Sequence, residues 1–207
     1  MPTIEQTLMD IEKVQQDIQS QLSSGKMQQS PLIDDLIHII NVYHFDLLAH
    51  SCLDDSETKV STESKQFLEQ YHSLSRKDGI HSESIRWLNI GGLIIVCNLF
   101  EKFVRETHAQ LFTDEPINHL KDAYEQILEN KNINTDTMHR MVREFSLIRF
   151  IRNSFYHGDS YKNSTARVFD FGNETYNLEE GKLVKPMRLM TAITLLWQHY
   201  SMIMSSV

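Results

Sequence analysis

"TMHRMVREFSLIRFIRNSFYHG", Thr137 to Gly158, is the stretch on which the fold turns. Met141, Phe145, Ile148, Ile151 and Phe155 recur at three- and four-residue steps, the period at which one face of an α-helix meets a core. Gly158 ends the pattern, so a long helix from about Thr137 to His157 is expected. At about 100° per residue, Arg149, Arg152, Asn153, Tyr156 and His157 form a second, polar stripe that meets the apolar one at Arg152. A guanidinium at the rim of a core is partly desolvated and holds an anion more strongly than in open water. An imidazole at the end of such a helix titrates near neutrality, where it can carry a proton. The ordinary alternative is that Arg149 and Arg152 pair with acids elsewhere and His157 caps the helix.

Working outward, the same period recurs along most of the chain. Ile4, Leu8, Ile11, Val14, Ile18 and Leu22 give a first helix, and Ser30-Pro31 reads as a cap and first-turn proline opening a second, to about His50. Further helices are expected over Ser64–Ser75, Ser82–Leu111 and Ile117–Glu129. Gly91-Gly92 inside the longest of them implies a close helix crossing or a kink. "ARVFDFGNETYNLEEGKLVKP", Ala166 to Pro186, carries β-type residues around the turn signals Gly172-Asn173 and Glu180-Gly181, and reads as a small hairpin or irregular arm. A last amphipathic helix holds Leu189, Ile193, Leu196, Trp197 and Tyr200. The class is all-α: a single domain over 1–207, with 1–80 an N-terminal helical extension and 82–207 the core that carries the polar stripe.

The composition of the 207 residues, 41% apolar and 23% charged, is that of an ordinary globular chain. A net charge of −8 excludes a protein that coats nucleic acid non-specifically, since such a protein must neutralise phosphates. Any nucleic-acid chemistry must sit at a local basic site. One exists: Arg140, Arg143, Arg149 and Arg152 share thirteen residues with a single acid, Glu144. The apolar run "GGLIIVCNLF" is too short to span a bilayer, the start does not resemble a secretory signal, and Cys52 and Cys97 read as buried free thiols. A cytoplasmic protein without a membrane partner is expected. No H-E-x-x-H, Cys-x2-Cys pair, P-loop or G-x-S-x-G occurs, so neither metal nor cofactor is expected. His38, His44 and His50 point three different ways on one helix and cannot share a metal. His139 and Arg143 lie one turn apart, facing either RNA or solvent. Asp34-Asp35 reads as first-turn acid. The first helix either packs on its own bundle or serves a partner. Phe150 lies off the core stripe and reads as interface surface.

"RNSFYH", Arg152 to His157, resembles the R-x4-H signature of the HEPN superfamily, in which a polar residue, often Asn, follows the Arg. Its place near the end of a long late helix, before a final helix, is similar too. Glu101-Lys-Phe-Val-Arg105 looks like the family's E-x3-[K/R] pattern on an earlier helix. The resemblance covers about Ser82 to Val207. It implies a helical domain acting as a metal-independent endoribonuclease, with two R-x4-H motifs meeting across a homodimer. His157 would be general base or acid, Arg152 would hold the scissile phosphate, and Asn153 would orient the phosphate or His157. Arg149 would extend the anion site, Glu101 and Arg105 would fix Arg152, and Tyr156 would support the RNA-binding face. The products would be a 2′,3′-cyclic phosphate and a 5′-hydroxyl. Such proteins are toxins or phage-defence effectors held by an antitoxin or regulatory protein. Asp159 stands where the nucleotidyltransferase-controlled toxins carry a modified Tyr, which puts that form of control in doubt. A second reading is a non-catalytic HEPN dimerisation module that binds nucleotide, RNA or a partner protein. A third is a bundle in which the motif is only a buried ion-pair network.

Overall fold

The computed structural model describes residues 4–54, 80–113, 115–156, 161, 165–171, 174–185 and 187–205, with the side chains at 4–5, 46, 48–54, 80–88 and 156 excepted. Six helices and one hairpin make up the described chain: α1 (Ile4–Ser23), α2 (Pro31–Asp54), α3 (Ile80–Leu111), α4 (Leu120–Asn130), α5 (Thr135–Tyr156), β1 (Arg167–Phe171), β2 (Glu174–Leu178) and α6 (Leu189–Ser205). The all-α class with a hairpin before the last helix is therefore what the sequence led one to expect. The helix expected over Ser64–Ser75 lies outside the described residues.

Capping chemistry sets several boundaries. The Ser30 hydroxyl accepts from the Ile33 N–H at 3.4 Å, capping α2 directly before Pro31. Asn134 caps α5 by accepting from the Thr137 N–H at 3.0 Å, so that helix starts two residues before the expected Thr137. α4 begins at Leu120 rather than Ile117, because His119 is extended (φ −131°, ψ 127°). α2 runs on to Asp54, past the expected end at His50.

α3 is the central helix and packs on α2, α4, α5 and α6. Gly92 explains one of these crossings: a Cβ built there would overlap the Leu189 side chain of α6. At Gly91 a Cβ meets nothing among the described residues within 4 Å. Phe100 of α3 stands at the middle of an aromatic cluster, with Phe145 of α5 at 4.8 Å, Tyr124 of α4 at 5.8 Å and His199 of α6 at 5.1 Å between ring centroids. α1 and α2 are part of this core and not an appendage. Ile11, Ile18, Leu36 and Ile40 are buried in the same contiguous cluster, and the Trp197 indole of α6 donates to Asp17 of α1 at 2.6 Å.

β1 and β2 pair antiparallel, with Phe169 opposite Tyr176 and Phe171 opposite Glu174. Residues two apart on a strand share a face, so Arg167, Phe169 and Phe171 lie together. That face meets α5. Phe169 is buried and sits 6.1 Å from Phe150 between centroids. The turn beyond β2 uses Gly181 in the left-handed region (φ 73°), where a side chain would be strained. Its N–H donates to the Tyr161 carbonyl at 2.8 Å, which ties the hairpin to the chain that leaves α5.

Candidate functional site

Glu101 is the hub of the site. Its Oε1 accepts from Arg149 Nε at 3.0 Å and from Arg152 Nη2 at 2.5 Å, joining α3 to α5 through one carboxylate. Arg152 Nη1 also donates to Asn98 Oδ1 at 3.0 Å, one turn earlier on α3. The three charged side chains are graded in exposure: Arg152 13%, Glu101 17% and Arg149 31%. Arg152 is thus sunk at the core rim, as the meeting of its two stripes implies, and Arg149 stands further out. Beneath them Cys97 is buried and its thiol is pushed up to about 12, first by burial, with the Arg152 guanidinium opposing and Glu101 adding to it. Cys97 is therefore a buried free thiol; the side chain of Cys52 lies outside the described residues.

Arg149 uses only its Nε on Glu101 and lies 5.5 Å from the Phe145 ring. Its two terminal nitrogens donate to no described group. Asn153 is exposed, with no hydrogen-bond partner among the described residues, and it lies one turn beyond Arg149 on α5. Two donors on adjacent turns, next to a carboxylate-locked arginine, are the part of the expected site that the structure brings together. Arg105 does not join it. It is exposed on α3 and makes no hydrogen bond or ion pair with a described residue, while Glu101 turns to Arg149 and Arg152. Tyr156 closes α5, its side chain outside the description, and His157 lies outside the described residues, one position further along the chain.

Phe150 differs from its expected place as interface surface. It is partly buried under the hairpin, 5.9 Å from the Tyr161 ring, with the Arg167 guanidinium 4.8 Å from its own centroid. The sequence offered no partner for it because the partners arrive from a strand that follows the helix. His139 and Arg143 are exposed and line a cleft of about 220 Å³ between α5 and β1, together with Asp136 and Asp170.

A polar cluster not foreseen from the sequence lies deeper. His199 is buried, with Nδ1 2.7 Å from the Tyr124 hydroxyl and Nε2 2.7 Å from Glu144. A carboxylate only accepts, so Nε2 carries the proton and Nδ1 accepts from Tyr124. Burial lowers the His199 pKa, against the pull of Glu144, and raises that of Tyr124. Ala192, Leu196 and Ile203, all buried, flank His199 at helical spacing; a histidine on so apolar a stripe was the available signal. No described helix is long and apolar enough to cross a membrane. Comparison with models of known protein families, with curated proteins and with solved structures gives no match to this chain.

Proposed function

We propose that the chain is a metal-independent endoribonuclease of HEPN type, active as a homodimer, and a toxin or phage-defence effector held by an antitoxin or regulatory protein. The observation that carries the reading is the donor pair on α5. Arg149 presents its terminal nitrogens and Asn153 its amide on adjacent turns, while Glu101 fixes Arg152 beside them. That set suits a phosphate: planar guanidinium donors, partly desolvated, held in place before the ligand arrives. His157 follows α5 in the chain and is the proton carrier of the proposal. The ribose 2′-oxygen attacks phosphorus as His157 takes its proton, the P–O5′ bond breaks, and a proton returns to the 5′-oxygen. The products are a 2′,3′-cyclic phosphate and a 5′-hydroxyl, and neither water nor metal is consumed.

The depth of Arg152 favours a second reading. A guanidinium 13% exposed and tied to both Glu101 and Asn98 fits a module that binds nucleotide, RNA or a partner protein without cutting. The test is a mixed RNA pool incubated with the protein in excess EDTA, followed by analysis of the new ends. Cyclic-phosphate and 5′-hydroxyl ends are expected. RNA that is bound but left intact would overturn the nuclease in favour of the module.

A further inference from the structure

The basic face does not stop at α5. β1 runs alongside the helix, and its first residue, Arg167, shares a strand face with Phe169 and Phe171. The Arg167 guanidinium lies 4.8 Å from the centroid of Phe150, the residue next to Arg149. Arg167 is exposed and pairs with no acid among the described residues. Arg149 and Arg152 share one carboxylate, Glu101, and Arg167 adds a third guanidinium from a second element, over the residue next to Arg149, in a chain that carries 28 acids against 20 basic residues. Contact with a ring restrains a guanidinium while its N–H donors stay available, which lowers the entropy lost when they take up an anion.

We infer that Arg167, held over Phe150 by the hairpin, is a second phosphate subsite that grips the RNA strand one or more nucleotides away from the phosphate at Arg149 and Asn153. The inference rests on the reading of that site as an RNA site. It gives the hairpin a positioning role: a strand held at two phosphates is fixed in direction across the helix, whereas one held at a single phosphate can pivot.

Fluorescence anisotropy with a 2′-O-methyl oligonucleotide, which cannot form the cyclic phosphate, tests this over a range of salt concentrations. Wild type is compared with Arg167→Gln and with Lys26→Gln, which removes the same charge from the exposed segment between α1 and α2. Arg167→Gln should weaken binding about five- to tenfold at low salt and lower the slope of log K against log salt by about 0.7, one phosphate contact on a single strand. Arg167→Lys keeps the charge without the planar guanidinium donors and should fall between. Lys26→Gln should leave the slope unchanged. Arg167→Gln that behaves like Lys26→Gln, in a protein that still cuts RNA through His157, would overturn the subsite and leave the nuclease standing. Loss of RNA cutting by wild type with the slope change intact would overturn the nuclease and leave the subsite standing.

Discussion

Glu101 does more than either arginine it holds. Removing Arg149 leaves the carboxylate paired with Arg152. Neutralising Glu101 leaves two guanidinium groups facing each other at the core rim. Glu101→Gln should therefore cost about 2–4 kcal/mol of stability, and Arg149→Gln about 1 kcal/mol or less, since Arg149 is the more exposed. Urea unfolding checks the order; equal losses would mean that Glu101 is not the hub. His199 makes a prediction about pH. Its pKa is lowered in the folded chain, chiefly by burial, and Tyr124, Glu144 and Arg140 surround it. The unfolded chain takes up a proton near the ordinary value of 6.5, which folded His199 refuses until lower pH. Stability should fall as pH drops below about 7, by at most about 1.4 kcal/mol per pH unit from this residue, and level off below the folded pKa. In His199→Gln the fall between pH 7.5 and 5.5 should be shallower. An unchanged slope would assign it to other groups.

Among the elements, the glycine pair in α3 separates two effects that sequence alone leaves joined. Gly91→Ala meets no described atom and removes the helix penalty of glycine, so it should stabilise by about 0.5–1 kcal/mol. Gly92→Ala must displace Leu189, which is buried where α3 crosses α6, and should destabilise by about 1–3 kcal/mol. Thermal unfolding of both variants decides it, and a stable Gly92→Ala would mean that the crossing is looser than described. α1, α5 and α6 were legible because their apolar residues keep a helical period, and β1 and β2 because a turn signal separates two β-type runs. Which face the hairpin presents to α5 was not legible: alternation along a strand says that Arg167, Phe169 and Phe171 go together, not what they meet. The start of α4 was missed for a similar reason, because Ile117 fits the period but His119 is extended. Of the expected site, Arg149, Arg152 and Glu101 do come together. Arg105 does not, because spacing on a helix places a residue on a face without saying which neighbour claims it. The Tyr124–His199–Glu144 cluster joins three elements far apart in the chain, and only the fold brings them into contact.

Across the whole molecule, a local basic face stands against a net charge of −8. Long-range steering of RNA towards such a protein is unfavourable, so binding must come from short-range, desolvated contacts and should weaken as salt rises. In the proposed homodimer two copies of the face stand together, which doubles the local charge without changing the charge per chain. The core reaches from α1 to α6, so the N-terminal helices stabilise the framework that holds Glu101 against α5. The proposed activity of this face is cutting RNA with His157 as the proton carrier and without a metal. The most direct measurement is the rate of RNA cleavage in excess EDTA by wild type and by His157→Ala, with folding matched by circular dichroism. Cleavage by wild type is expected, with a loss of at least about a hundredfold in the variant, the scale of a missing general acid–base group. Equal rates in the two proteins, or cleavage that EDTA abolishes, would contradict it.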